Sequence, residues 1–124
     1  MTDFNQARDA FLGSLDSDDI MFADTLAFID RWYVHTPTPF RNGPLRNGAD
    51  QNQGSCKVLG LAALLGLDRE QTLRCFGEHY RDVVASPEGD NHRNLRRLHK
   101  DGPVDIEFEG FPLALRPLTL REQG

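Results

Sequence analysis

The sequence predicts an α+β fold: a mostly helical single domain with a small C-terminal antiparallel β-hairpin or sheet. Three observations carry that prediction. Apolar residues recur at helical spacing in several segments between Phe4 and Leu98. The period then changes to strict alternation at Val104, Ile106 and Phe108, which face away from Asp105, Glu107 and Glu109. Finally, 124 residues with 39% hydrophobic and 27% charged side chains suit one globular unit, residues 1–124, able to hold a core without cross-links.

The elements follow in order. Phe4, Ala7, Phe11, Leu12 and Leu15 place a helix over residues 2–15. Ser17, Asp18 and Asp19 offer acceptors at the start of a second helix, about 19–34, with a stripe of Phe22, Leu26, Ile29 and Tyr33. From His35 to Gly54 the chemistry changes. Pro37 and Pro39 cannot continue a helix, and Asn42-Gly43 and Asn47-Gly48 are turn signals, so short strands or tight loops are expected there. Ser55 to Leu65 is apolar nearly all round and reads as the buried central helix, closed by Gly66. Asp68 with Gln71 is a capping box for a fourth helix that Gly77 interrupts before Glu78 to Ala85. Ser86 to Gly89 is a loop. Asp90 or Asn91 caps a last helix, about 92–100, with Asn94, Leu95 and Leu98 turned inward or half-buried and Gly102 at its end. Strands follow at 104–108 and at Leu113–Leu115.

Charge and cysteine content exclude several classes. A net charge of −5 argues against nucleic-acid binding, which needs a basic face. The charge is uneven: residues 1–30 hold seven aspartates against Arg8, whereas 91–100 hold Arg93, Arg96, Arg97 and Lys100 with no acid. Both read as solvated faces, or the basic stripe meets a partner or the acidic N-terminal helices of its own chain. No apolar run approaches the ~20 residues that span a bilayer, and no secretory leader is expected from the charged N-terminus. Two cysteines make no disulfide framework, so a reducing compartment is the expectation. Their spacing, and that of the four histidines, predicts no metal site. No phosphate-binding or dinucleotide glycine motif is present, and no cofactor is expected.

Two constellations remain. Cys56, in Asn52-Gln53-Gly54-Ser55-Cys56-Lys57, lies in the first turn of a helix, where the dipole and free N–H groups favour a thiolate. With His92 as base it is a candidate cysteine nucleophile. The alternative packs Cys56 under the Thr36–Phe40 loop while Ser55 and Asn52 cap the helix. The second constellation is amide-rich. Asn94 turned inward needs partners, and the polar loop Asn42–Asn52 supplies them. Asn42, Asn52, Asn94 and Arg96 are therefore the candidate binding residues.

Several segments together resemble the HopJ type III effector family. They are Phe22-x-Asp24-x-x-x-x-Ile29-Asp30, Thr36-Pro37-Thr38-x-Phe40-x-Asn42-Gly43 and Asn52-x-Gly54-Ser55-Cys56-Lys57, then Gly66-Leu67-x-x-x-Gln71-Thr72-Leu73, Phe76-Gly77-x-x-Tyr80-Arg81 and Pro87-x-Gly89-x-x-His92-x-Asn94-Leu95-Arg96. The likeness runs from about residue 11 to 115. It implies a bacterial protein made in the cytoplasm and carried into a host cell by the type III secretion machinery. It brings no cofactor and no catalytic residue. The expected function is binding of a protein partner or small ligand, with the Cys56–His92 hydrolase or transferase as the alternative.

Overall fold

The structure is a computed structural model, and it describes residues 3–117. The C-terminal residues 118–124 and residues 1–2 lie outside the described part, including the first position expected in the N-terminal helix. Among the described residues, six helices and five short strands follow in chain order. Helix α1 (Phe4–Ser14) is opened by Asp3, whose carboxylate accepts the Gln6 N–H at 2.7 Å while the Gln6 side chain accepts the Asp3 N–H. Helix α2 (Phe22–Trp32) starts later and ends earlier than the sequence suggests. Its first turn is held by Asp24, which accepts the Met21 N–H at 2.9 Å, and Ser17 instead bonds within the preceding turn. Tyr33–His35 leaves the helix to become strand β1, so the inward face is Thr25, Phe28, Ile29 and Trp32, with Leu26 only half-buried. Tyr33 and Val34 suit an extended, half-covered backbone, and pairing with strand β5 (Leu113–Leu115) settles the choice.

The two C-terminal strands exist, but they do not pair with each other. Strand β4 (Ile106–Phe108) joins strand β2 (Phe40–Asn42), which also pairs with β3 (Leu45–Asn47), giving the antiparallel order β3-β2-β4. Strand β5 pairs antiparallel with β1 alone among the described strands. Asn42-Gly43 is thus the turn of the β2–β3 hairpin, and Val104 lies before β4, exposed.

Helix α3 (Gln53–Leu65) runs through the middle, burying Cys56, Val58, Leu59, Leu61 and Ala62, and ends at a left-handed Gly66 as expected. Against it pack α2 and an aromatic group in which Phe11 stacks on Phe28 at 4.5 Å. Helix α4 (Arg69–Arg74) has the expected capping box, Asp68 with Gln71. Gly77 then takes φ +57° and begins helix α5 (Glu78–Ala85). A Cβ at Gly77 would stand 2.3 Å from the Phe22 backbone nitrogen, so the start of α5 sits directly on the start of α2. Glu78 completes that junction by accepting the Phe22 N–H at 2.7 Å. Helix α6 (Arg93–Asp101) buries Asn94, Leu95 and Leu98 as expected. Its N-cap is His92 in the left-handed conformation, with no side-chain cap bond, rather than Asp90 or Asn91.

Candidate functional site

The starts of α2, α3, α5 and α6 meet at one cleft of about 210 Å³. Phe22 and Phe76 form its apolar wall, with parallel rings 6.0 Å apart. His79 stands edge-on to Phe22 at 5.0 Å, and its ring lies 4.8 Å from that of His92. Arg93, Asn52, Gly54, Ser55, Asn94 and Leu95 complete the lining. Asp82 approaches from α5, its Oδ2 3.7 Å from His92 Nε2. Asn52 and His92, which introduce α3 and α6, are both in the left-handed region (φ 51° and 50°). Neither spends its side chain on its own helix.

The Asn52 side chain goes instead into a buried amide network. Its Nδ2 donates to Asn47 Oδ1 at 2.7 Å, and Asn94 Nδ2 donates to the same oxygen at 2.9 Å. Asn94 Oδ1 accepts from Asn42 Nδ2 at 3.1 Å and from Asn47 Nδ2 at 3.3 Å. Asn42 Nδ2 also reaches the Asn94 backbone carbonyl at 3.0 Å, and Asn42 Oδ1 accepts from Arg97 at 3.2 Å. The network clamps the start of α6 to the β2–β3 hairpin and so fixes where His92 and Arg93 stand. The expectation that Asn94 finds its partners in the Asn42–Asn52 loop describes it, but Asn47 is an addition: the sequence shows it only as a turn residue. Its position beside a glycine conceals that its side chain turns inward from the edge of β3.

The basic stripe divides. Arg96 donates to Ser86 O at 2.6 Å and to Asn91 O at 2.5 Å and Oδ1 at 2.6 Å, pinning the 86–91 loop that leads into His92. It therefore positions the cleft. Arg97 lies across Gly43 (φ +59°) and donates to Val104 O at 2.5 Å. Neither meets the acidic N-terminal helices. Arg93 has no ion pair among the described residues and lines the cleft.

The expected thiol behaves differently from its sequence position. Cys56 is fully buried, and its Sγ contacts the Thr38 carbonyl at 3.7 Å, under the Thr36–Phe40 loop. Burial pushes its pKa up to about 11, opposite to the lowering expected from the helix start, with the Thr38 contact a smaller opposing influence. Lys57 points elsewhere and pairs with Asp30 at 3.0 Å. The structure thus places His92, Asn52 and Asn94 around the cleft, Asn42 and Arg96 behind it, and Cys56 in the core outside its lining. Sequence reasoning missed His79 as a companion of His92. It also missed Ser55 as the α3 side chain that faces the cleft. Among the described residues, no three His, Cys, Asp or Glu side chains cluster as metal ligands, and no helix is long and apolar enough to cross a membrane.

These features define a small α+β domain with a polar, histidine-walled cleft where four helices begin. The model for the HopJ type III effector protein family matches residues 8–113, and the chain belongs to that family. The crystal structure of the unknown-function protein VPA0580 is similar at 39% identity and a TM-score of 0.82, covering 93% of this chain and 95% of that one. No curated protein matches the sequence.

Proposed function

We propose that this HopJ-family domain acts by binding a protein partner or small ligand at the α3–α6 cleft, after passage from the bacterial cytoplasm into a host cell through the type III machinery. The observation that carries the binding reading is the division of polar groups around the cleft. The amide network, Arg96 and Arg97 are spent on holding the fold, while His79, His92, Arg93 and Ser55 line an open hollow. That is the composition of a recognition site: fixed walls with a few convergent polar groups.

The cysteine hydrolase or transferase with Cys56 and His92 needs a thiolate near neutral pH beside the imidazole. A buried thiol titrating at about 11 gives that reading little support.

A photo-cross-linking residue replacing Asp90, an exposed position two residues before His92, tests the proposal in host-cell extract, with Leu64 replaced in parallel as an exposed site on α3. Binding at the cleft yields a discrete adduct from position 90 that position 64 does not give, and Cys56→Ser leaves it intact. Identical patterns from the two positions, or loss of the adduct in Cys56→Ser with the fold retained, would defeat the proposal.

A further inference from the structure

The cleft's charge is lopsided. Arg93 stands in its lining without an ion pair among the described residues, and two imidazoles with ring centroids 4.8 Å apart line the same hollow. Two carboxylates of α5 contact groups of the lining. Asp82 is 3.7 Å from His92, and Glu78 is occupied by the Phe22 N–H. No acid from α2, α3 or α6 is in the lining. Phe22 and Phe76 keep one side of the hollow apolar, which lowers the local screening and strengthens whatever charge interaction forms there. The volume, about 210 Å³, is well beyond the ~10–15 Å³ that one water needs. There is room for a charged group on a short stem, the stem lying along the phenylalanines.

Resting on the reading of this cleft as the recognition site, we propose that it receives an oxyanion, the carboxylate or phosphate group of the bound molecule, between the His79 and His92 imidazoles and the Arg93 guanidinium. Arg93 supplies a fork of N–H donors suited to two oxygens at once. Each imidazole supplies one donor when neutral and two when protonated. A metal ion fits less well. His79 and His92 meet ring to ring with an interplanar angle of 38°, and among the described residues no three His, Cys, Asp or Glu side chains cluster as ligands.

The test uses the full chain and two probes, sodium sulfate for a tetrahedral dianion and sodium acetate for a carboxylate, with sodium chloride at matched ionic strength. Backbone amide NMR shifts are followed at Gly54, Ser55, Arg93 and Asn94. The expected result is a saturable shift at these amides with sulfate or acetate and none with chloride, the tighter probe identifying the source. Arg93→Gln weakens binding about tenfold. His79→Gln and His92→Asn, the latter chosen because asparagine tolerates the left-handed backbone, together weaken binding further. Unchanged amide dispersion shows that each variant is folded. No saturable shift from either oxyanion, or a shift indifferent to Arg93→Gln, overturns the oxyanion assignment. The position-90 cross-link is a separate readout. If it persists while both anions fail, the cleft binds a different chemistry; if both fail, the cleft is not the recognition site.

Discussion

Removing the Asn94 side chain tests whether the amide network holds the cleft together. Asn94→Ala deletes three side-chain hydrogen bonds, at 2.9, 3.1 and 3.3 Å, all among buried groups. The losses are unequal. Asn42 Nδ2 keeps the residue-94 backbone carbonyl at 3.0 Å, and Asn47 Oδ1 keeps Asn52 at 2.7 Å. Asn47 Nδ2 is left with a single long contact, 3.4 Å to Leu45 O, in a side chain only 6% exposed. At about 1 kcal/mol per bond, with the stranded Asn47 donor falling in the same range as the bond it lost, the variant costs about 3 kcal/mol. That is a large share of the ~5–15 kcal/mol a domain possesses. Asn52→Gly is the control. It removes one bond from an exposed side chain and suits the left-handed backbone at φ 51°, so it costs under about 1 kcal/mol. Urea unfolding with unchanged m-value reads both. A loss below about 1 kcal/mol for Asn94→Ala, or an equal loss for Asn52→Gly, would refute the reasoning.

Two further outcomes are expected. Gly77→Ala puts a methyl 2.3 Å from the Phe22 nitrogen and 2.5 Å from the Met21 carbonyl carbon, both backbone atoms, at a φ of +57°. It therefore loses more than about 3 kcal/mol in a thermal melt followed by circular dichroism, and an unchanged melting temperature would sink the packing argument. His35 has a buried Nε2 without a partner among the described residues, and burial, with Lys57 nearby, lowers its pKa. The unfolded chain then takes up the proton more readily than the folded one. This contribution to stability is complete above the ordinary value of ~6.5 and is lost as pH falls below it. His35→Gln flattens the fall in unfolding free energy between pH ~7 and ~5. Superimposable pH slopes for the two proteins would count against it.

The helices were legible because their signals are local. The Asp68–Gln71 box, the Gly66 stop and the Gly77 break each act within a few residues, and each stands where the sequence puts it. The strands were legible as strands but not as pairs. Ile106–Phe108 and Leu113–Leu115 look like a hairpin because they are adjacent and alternate. Their actual partners lie in residues 33–42, more than 60 positions away, and no short-range feature records that choice. The same distance explains α2: Tyr33 and Val34 satisfy helical spacing, and only the arrival of β5 makes them extended. In the cleft, Asn94 was readable because an amide among leucines on a helix must find partners. Asn47 and His79 were not, since a turn residue and a lone histidine carry no mark of which way they face.

The fate of Cys56 shows how narrow the margin is between core and site at a helix start. Successive residues turn by about 100° around the axis, so Ser55 and Cys56 cannot both look into the same hollow. The face of Cys56 is shared with positions three and four further on, Leu59 and Gly60, and both are buried. Gly60 is tight against Pro112 and Leu113 of the C-terminal strand region, which leaves that face no exit to solvent. Ser55 also has buried apolar residues three and four positions on, Val58 and Leu59, but it stands one residue nearer the helix start and lines the cleft with Phe22 and His92. Being in the first turn gives a side chain access to free N–H groups only if it also points away from the core. For Cys56 the burial cost of the thiolate outweighs that influence, and its pKa rises to about 11. The chemistry available at the start of α3 therefore belongs to a hydroxyl, two neighbouring imidazoles and a guanidinium, a set suited to holding an anion rather than to attacking a carbonyl with sulfur.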